Sequence, residues 1–561
     1  MSESAAGATL RGLGVSPGLA AGPVCRMEDP SHLRGRPWTA ASPAEEADTA
    51  VRALLAASLG LAALAEKAAE PEARAILEAQ SLIAADPLLQ EAVRENVRDG
   101  MHALDAVTAA CDHHRDALLA AGGHFAERAA DLADIANRAV AAALDVPMSA
   151  IPDPGHPYVL VAEDLSPADT VTLDPATVLA VITERGGPTS HTAILARARG
   201  VPAVVACRGA RELRDGTPVT VDGALGEVRT GVGDAEAAEV RRREAARRSR
   251  LRASTGPGRT ADGHPVKLLL NIGSAADLDA EVSAEGVGLF RTEVLFLDRR
   301  TAPDMDEQVA AYEAVFRALP GDRVVVRTLD AGTDKPLPFL GLPEETNPAL
   351  GVRGLRVARA RPDVLDAQLD AVAAAARATG VRPWVMAPMV TTVAEAADFA
   401  RRARARGIAH VGAMVEVPAA ALQASRLLAE LDFLSVGTND LSQYTCAADR
   451  QHGELADLLD PWQPALLRLV AECGAAGRRA GKPVGVCGEA AADPLLAPVL
   501  AGLGVTSLSM SGPSVPAVRE ALAARTLAEC EEAARAALEA DGPAEARARA
   551  GADRPERDPD A

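Results

Sequence analysis

The hydrophobic positions of this chain change their spacing along its length, and each change marks a predicted domain. A short apolar segment with Gly and Pro, Leu13 to Val24, predicts an opening strand. From about Ala44 to Leu144 apolar residues recur at helical spacing with few internal Pro or Gly, which predicts a bundle of about four long helices. From Tyr158 strands return around one helical segment, HTAILARARG. The pattern predicts a small α/β domain into which the bundle is inserted, with the strands YVLVAEDL, TVLAVITE and PVTVDG.

The second half of the chain alternates strand and helix patterns from His264 onward. Helical segments separate most of its strand candidates, and eight such units are typical of a TIM (β/α)8 barrel. The eight candidates are VKLLLNI, GVGLF, VVVRTLD, WVMAPMV, VGAMVEV, FLSVGTND, PVGVC and SLSMS.

These patterns predict a multidomain α/β protein. The stretch from Glu236 to Leu251 is charged and helix-prone, which favours a linker helix, although an ordinary solvated helix shows the same pattern. The polar tail with Pro from about Glu545 predicts disorder. The predicted domains are an α/β domain of residues 1–25 and 145–234, a bundle of 26–144, a linker helix of 235–255, a barrel of 256–544 and a disordered tail of 545–561.

Composition narrows the function classes. The chain has 561 residues and a formal net charge of −20, without the basic face of a nucleic-acid binder. The acidic balance suits solubility or a basic protein partner. Its seven cysteines have no spacing typical of a zinc site or a disulfide framework. The N-terminus has no signal pattern, and no run of about 18 apolar residues is evident, so we expect a cytoplasmic protein without membrane insertion.

The predicted carboxyl ends of the barrel strands carry charged and polar residues, and barrel enzymes place their chemistry there. Arginine forks match phosphate and carboxylate oxygens, and carboxylate and amide oxygens suit Mg²⁺. The set predicts a small, multiply anionic substrate held with Mg²⁺. The alternatives are that the arginines only pair with strand-end carboxylates and that the cysteine is a buried apolar filler. The set comprises Arg291, Arg327, Asp330, Arg353, Glu416, Asn439, Asp440, Arg450, Cys487 and Glu489.

A second candidate site surrounds His191. A strand leads into Gly186 and Gly187, and the histidine then opens a helix that Thr189 or Ser190 can cap. A helix N-terminus presents free N–H groups to an anion, and neutral imidazole is a nucleophile. The segment favours a phosphoryl-carrying histidine, although a helix-end histidine without chemistry fits the same pattern.

Seven motifs of this chain resemble those of the phosphoenolpyruvate-utilising enzymes, and most closely Enzyme I of the bacterial phosphotransferase system. The resemblance covers roughly Leu13 to Leu527. The motifs are GGPTSHTAILAR, GVGLFRTEVLFLDR, VRTLDAGTDK, ETNPALGVR, GAMVEVP, FLSVGTNDLSQYTCAADR and VCGEAA.

The resemblance implies a role for each matching residue. It makes His191 the phosphorylated histidine and Cys487 the proton donor to the enolate that becomes pyruvate. It makes Glu416 and Asp440 the Mg²⁺ ligands and gives Lys335 and Arg353 further rim positions with less defined roles. The residues implied to hold phosphoenolpyruvate are Arg291, Arg327, Asn439, Asp440 and Arg450.

The same resemblance implies a partner and an assembly. The inserted bundle, with the segment Glu127 to Arg138, resembles the domain that binds HPr, a small phosphocarrier protein, and the family implies a homodimer through the barrel. The α/β domain is then expected to move between barrel and carrier. Three positions depart from the family pattern: Pro188 replaces a common Arg, Thr333 a Gly and Thr346 a Glu.

Three other functions remain as alternatives. Pyruvate-phosphate dikinases and phosphoenolpyruvate synthases require an ATP-binding domain that this sequence does not show. The nitrogen-pathway form of Enzyme I carries an extra sensory domain, for which we expect no room before Leu13. A regulatory relative that only binds ligand is disfavoured by the presence of His191, Cys487 and both expected metal ligands.

Overall fold

The computed structural model describes residues 7–27, 42–67, 71–121, 129–146, 151–187, 190–278, 282–297, 299, 301–319, 321, 323–332, 337–343, 345–450 and 453–551. The chain divides into two compact units, Met1–Arg248 and Ser249–Ala561.

The first unit contains an eight-stranded sheet, and its strands are β1 Thr9–Arg11, β2 Leu13–Ser16, β3 Leu19–Arg26, β4 Tyr158–Ala162, β5 Val178–Thr183, β6 Ala203–Val205, β7 Pro218–Asp222 and β8 Glu227–Thr230. Their order in the sheet is β1-β8-β7-β3-β4-β5-β6-β2. The three later strands are confirmed, but the predicted opening strand is two strands, β2 and β3, separated at Pro17 and Gly18 and paired with different neighbours. Sequence patterning missed β1, β6 and β8, because strands of three or four residues leave too few positions for a periodic signal.

The inserted segment is helical, and its described residues form five helices where about four were predicted. Two helices begin at Pro71 and Pro87, and Asp86 caps the second by accepting from the Leu88 N–H. Proline at a first helical position breaks one long pattern into shorter helices. The five are α1 Pro43–Lys67, α2 Pro71–Ala84, α3 Pro87–Arg98, α4 Ala103–Ala121 and α5 Ala129–Ala143.

One stretch of α1, Ala44–Lys67, is long and apolar enough to cross a membrane by length and composition alone. The prediction that no such stretch exists is therefore wrong. One face of this helix packs into the bundle core through Leu54, Leu61 and small alanines, which accounts for its apolar character.

The second unit is a closed barrel of eight parallel strands, and all eight predicted strands are confirmed. Alternate side chains of parallel barrel strands point inward. An interior cluster accordingly contains Leu289, Met386, Met414, Phe433 and Cys487. The strands are β9 Lys267–Ile272, β10 Gly286–Arg291, β11 Arg323–Arg327, β12 Trp384–Ala387, β13 His410–Val415, β14 Phe433–Val436, β15 Val484–Val486 and β16 Ser507–Met510.

The helices between the strands bury their apolar faces against the barrel. Three of them begin at reciprocal caps, Asp304 with Glu307, Thr392 with Glu395 and Thr526 with Glu529. The remaining α-helices in the described part of the chain are α6 Pro167–Thr172, α7 His191–Arg199, α8 Asp234–Ala253, α9 Met305–Ala318, α10 Pro362–Thr379, α11 Val393–Arg404, α12 Pro418–Leu422, α13 Ala424–Glu430, α14 Thr438–Cys446, α15 Pro464–Ala480, α16 Ala497–Gly502, α17 Val515–Ala523, α18 Leu527–Leu538 and α19 Pro543–Arg549.

The predicted linker segment is helical, as α8, and the division between the units falls within it. The prediction of disorder from Glu545 is wrong for the first part of the tail. Pro543–Arg549 forms α19, with Ala546 buried and Arg547 paired with Asp460. Polar composition misled the prediction because the few apolar and charged contacts of α19 are made to distant residues. Residues 552–561 lie outside the described part of the chain.

Candidate active site

The carboxyl end of the barrel brings Arg327 among three carboxylates. Arg327 ends β11 and is buried, with its guanidinium against Glu293 and with Nη1 3.4 Å from Asp330 Oδ2. Burial alone would lower the pKa of Arg327, but Glu293, Asp330 and Glu416 outweigh burial and raise it. Arg327 is therefore a permanent cation at the carboxyl end of the barrel interior, which we call the barrel mouth.

Six side chains of alternating charge form a continuous chain across this mouth. Glu293, Arg327 and Asp330 make its first half. Arg353 Nη2 then lies 3.2 Å from Asp330 Oδ2, and its Nη1 lies 3.0 Å from Asp440 Oδ1. Arg450 Nη1 ends the chain 3.7 Å from Asp440 Oδ2. Each buried charge in this row has a neighbour of opposite sign. The attraction between neighbours offsets part of the desolvation free energy of burying these charges.

Glu416 follows β13 and is also buried in this mouth. Its Oε2 accepts a 2.8 Å hydrogen bond from the Met389 N–H. Burial raises the pKa of Glu416 to about 7, and repulsion from Asp440 and Asp330 adds to the effect, against Arg327 and Arg353. Glu416 and Asp440 are thus two carboxylates close enough to repel each other.

Cys487 follows β15 and faces the barrel interior. Its thiol lies 3.7 Å from the Val436 carbonyl, to which it donates. Burial raises the pKa of Cys487 to about 11, so the thiol stays protonated at neutral pH. A buried thiol that keeps its proton beside Arg327 can act as an acid.

Three other predicted site residues border the same mouth. Asn439 stands in the first turn of α14, and its Oδ1 accepts from the Glu489 N–H at 2.9 Å. Arg450 is half-buried and follows the same helix. Arg291 ends β10 and is exposed, and its guanidinium makes no hydrogen bond or ion pair with the described residues.

The alternative that the arginines only pair with strand-end carboxylates explains part of this arrangement. Arg327 and Arg353 are buried ion-pair members, as that alternative holds. Three buried atoms at the same end nevertheless find no hydrogen-bond partner among the described residues: Arg327 Nε, Glu293 Oε2 and Thr438 Oγ1. Buried polar groups are normally satisfied, so water or a polar ligand would complete these atoms.

The two carboxylates fit a magnesium ion. Within the described residues no cluster of three or more ligating side chains exists, so the protein offers a pair, Glu416 and Asp440. Mg²⁺ is commonly held by one or two carboxylates together with waters and substrate phosphate. A dication between the pair would also relieve the repulsion that raises the pKa of Glu416.

In the first unit, His191 is the first residue of α7. Ser190 caps this helix, and its hydroxyl accepts from the Ala193 N–H at 3.3 Å. Gly186 has a φ of +94°, which glycine adopts without strain, and a Cβ there would lie 3.3 Å from Ser190 Oγ. The predicted capping by Ser190 is confirmed. The His191 side chain, Pro188, Thr189, Thr333 and Lys335 lie outside the described residues.

Sequence reasoning missed two residues of these sites. Glu293 follows β10 and pairs with Arg327, which ends the neighbouring strand β11. Its only signal in the sequence was its position two residues after Arg291, at the end of a predicted strand. Asp164 follows β4 and accepts from the Thr192 hydroxyl at 3.1 Å, beside the start of α7. A carboxylate placed shortly after a strand was its only signal in the sequence.

Comparison with known proteins assigns the chain to a family. Three models of PEP-utilising enzymes match it: the N-terminal domain over residues 11–128, the mobile domain over 154–226 and the PEP-binding domain over 247–527. The phosphoenolpyruvate-protein phosphotransferase of Streptomyces coelicolor is 53% identical over 96% of this chain and 98% of its own length. That of Haloferax volcanii is 40% identical over 86% and 87%.

A solution structure of an Enzyme I protein matches 43% of this chain and 99% of its own length, with 28% identity and a TM-score of 0.36. The three matched models and the full-length relatives lead to one assignment. This chain belongs to the PEP-utilising enzyme family, among its phosphoenolpyruvate-protein phosphotransferases.

Proposed function

We propose that this chain is a phosphoenolpyruvate–protein phosphotransferase. It transfers the phosphoryl group of phosphoenolpyruvate to His191, releases pyruvate and passes the phosphoryl group to HPr, the first step of sugar uptake by the phosphotransferase system. The observation that carries this proposal is the barrel mouth, where a buried cation and a protonated thiol lie together with unpaired polar atoms. The names of the full-length relatives agree with it.

The cationic residues of the mouth suit a trianionic substrate. Arg291 and Arg450 are accessible, and Arg327 keeps its Nε unpaired. In the proposed complex these three guanidinium groups bind the phosphate and carboxylate oxygens. Asn439 and Asp440 contact the substrate from the first turn of α14.

Cys487 supplies the proton that completes pyruvate. When the bond between phosphorus and the enolate oxygen breaks, the enolate carbon needs a proton from one side. A thiol with a pKa of about 11 holds that proton at neutral pH and lies in the barrel interior, away from bulk water.

Glu416 and Asp440 would hold Mg²⁺, which when bound neutralises charge on the phosphoryl oxygens. Arg353 holds Asp440 at 3.0 Å and the Met389 N–H holds Glu416 Oε2 at 2.8 Å, so the chain itself positions both carboxylates. The pKa of Glu416 also means that its deprotonation is coupled to the arrival of positive charge.

His191 receives the phosphoryl group at the start of α7. The free N–H groups of that helix end and its positive potential stabilise the added phosphate. In this proposal the α/β domain, residues 1–25 with 145–234, carries the phosphoryl group from the barrel to HPr on the helical bundle, 26–144. We further propose that the protein acts in the cytoplasm as a homodimer through its barrel domain.

The test is phosphoryl labelling of the full chain. Wild type, His191→Ala and the control His156→Ala are incubated with ³²P-phosphoenolpyruvate and Mg²⁺, with and without HPr. His156 is an exposed imidazole of the same unit. We expect acid-labile label on wild type and His156→Ala, transfer of that label to HPr, and none on His191→Ala. Label on His191→Ala would assign the nucleophile elsewhere, and no label on wild type would refute the proposed activity.

A further inference from the structure

A small cavity lies inside the barrel, with Ser435 in its lining. Its volume is about 20 Å³, which is room for about one water. Its polar lining comes from the hydroxyls of Ser435, Ser507 and Ser509, all buried. Arg323 and Pro483, near the opposite ends of the strands, also line it. The cavity therefore extends from Ser435 toward the end of the barrel opposite the active site.

Two glycines create the space for these hydroxyls. A Cβ on Gly485 would lie 2.6 Å from Ser507 Oγ, and a Cβ on Gly288 would lie 2.5 Å from Ser509 Oγ. A water in the cavity would be within reach of the hydroxyls that line it. The site thus has the size and the polar partners that a buried water needs.

Ser435 connects this cavity to Cys487. It lines the cavity, and because Ser435 and Val436 pair with Gly485 and Val486 of the adjacent strand, its side chain points into the barrel one inward position below Cys487. The thiol donates to the Val436 carbonyl, so its sulfur remains available to accept from the Ser435 hydroxyl. The serine accordingly stands between the sulfur and the cavity.

The proposed function leaves the return of a proton to Cys487 unexplained. We propose that the Ser435 hydroxyl relays a proton to the Cys487 thiolate from water in the barrel interior, so that the thiol is restored from below while product leaves from above. This inference rests on the proposed function. Ser435 acts through Cys487 and does not touch the substrate.

The steps balance in protons. In catalysis the S–H bond of Cys487 breaks and a C–H bond forms on the enolate carbon, which leaves a thiolate. The Ser435 O–H then gives its proton to sulfur as it takes one from the cavity water, and the hydroxide left there is neutralised by a proton from solvent. The net change is one solvent proton moved to Cys487, with no oxidation or reduction.

The experiment separates the first turnover from those that follow. Full-length enzyme, phosphoenolpyruvate, Mg²⁺ and excess HPr are mixed rapidly, and pyruvate is measured as a burst and as a steady-state rate. Ser435→Ala should keep the burst within about twofold, because Cys487 starts protonated, and slow the steady state at least about tenfold. Ser435→Thr restores a hydroxyl and should recover most of the rate.

Two further variants test the water path. Gly485→Ala places a methyl group in the cavity at the cost of turning one serine side chain, and it should slow the steady state as Ser435→Ala does. Ser442→Ala removes another buried hydroxyl, outside the cavity lining, and should change neither phase. The slowed variants should also show a larger solvent deuterium isotope effect on the steady state than wild type.

Each result decides the inference. Equal losses of burst and steady state in Ser435→Ala would assign Ser435 a structural role only. Unchanged rates would mean that Cys487 is reprotonated from the rim. A wild type that releases no pyruvate from phosphoenolpyruvate would refute the proposed function instead, independently of the variants.

Discussion

Arg353 donates from Nη1 to Asp440 Oδ1 at 3.0 Å, and both side chains are buried in the barrel mouth. The same guanidinium reaches Asp330 with Nη2 at 3.2 Å. Arg353 therefore connects a carboxylate that follows β11 to one on α14, and it fixes the position of the proposed metal ligand Asp440.

Replacement of Arg353 should damage both stability and substrate binding. Arg353→Ala leaves Asp330 and Asp440 buried with less compensation, which should cost about 3–5 kcal/mol in the free energy of unfolding. Arg353→Lys keeps the charge, but a single ammonium cannot bridge the two carboxylates, so the loss should be intermediate. Urea denaturation of the full chain measures the stability, and the KM for phosphoenolpyruvate measures the binding.

Arg359→Ala is the matched control for this substitution. Arg359 makes an exposed pair with Glu395, so its loss should change stability by no more than about 0.5 kcal/mol. An Arg353→Ala enzyme as stable as Arg359→Ala would contradict the stabilising role of the ion pairs that Arg353 makes with Asp330 and Asp440.

A second prediction concerns the buried carboxyl of Asp169 at the start of α6. Burial raises the pKa of Asp169 to about 6, and Asp134 adds to it, against hydrogen bonds from Ser166 and the charge of Arg138. The folded state then holds a proton that the unfolded state, with a usual pKa near 3.8, releases. The contribution of Asp169 to the free energy of unfolding should therefore be highest below pH 3.8, the pKa in the unfolded state, and fall as the pH rises through about 6.

Asp169→Asn should remove this part of the pH dependence. Hydrogen exchange of the full chain at several pH values, read in the peptides of α5 and α6, measures it locally. Wild type should lose protection there between about pH 4 and 6, and the variant should lose less. Asp105→Asn, an exposed carboxyl of the same unit, is the control. An identical pH profile in Asp169→Asn and wild type would rule out this carboxyl as the cause.

The barrel was predictable because each of its strands is an apolar run that local sequence reveals. Its rim was predictable only as a set of residue types at strand ends. That Glu293 pairs with Arg327, or that Arg353 is buried between two carboxylates, depends on neighbouring strands and loops that meet only in the fold. Pro71 and Pro87 in the sequence mark the points where the predicted long helices divide into shorter ones. The contacts that order α19 join residues far apart in the sequence, so no local pattern predicts them.

A third prediction concerns the different reactivity of the cysteines. The thiolate is the reactive form, and burial raises the pKa of Cys487 to about 11 while leaving its side chain almost inaccessible. Cys25 and Cys446 are half-buried, and the other cysteines are buried. Iodoacetamide at neutral pH should therefore modify Cys25 and Cys446 first, as read by peptide mass spectrometry.

The same labelling in urea provides the control, since all seven cysteines are free and should then react. Rapid alkylation of Cys487 in the folded enzyme would contradict both its burial and its role as a proton-holding acid. The outcome bears directly on the proposed mechanism, because an ionised Cys487 has no proton to give to the enolate.

The fourth prediction concerns α19, which ends the described part of the chain. The Arg547 guanidinium lies 3.2 Å from both Asp460 oxygens and 5.3 Å from the ring centroid of Trp462. Arg525 donates to the carbonyls of Ala550 and Gly551, each at 3.1 Å. These contacts fasten α19 to the barrel unit, so removing residues 542–561 should destabilise that unit, whereas removing only 552–561 should not.

Arg547→Ala tests the same attachment by one side chain and should cost about 1 kcal/mol, from the lost ion pair and the lost cation–π contact. Urea denaturation followed by tryptophan fluorescence measures it, because Trp462 is a direct reporter of the contact. We expect a lower midpoint for Arg547→Ala and a still lower one for the chain without residues 542–561. If both truncated chains unfold with wild-type midpoints, α19 makes no net contribution to barrel stability, and the segment behaves as its polar composition first indicated.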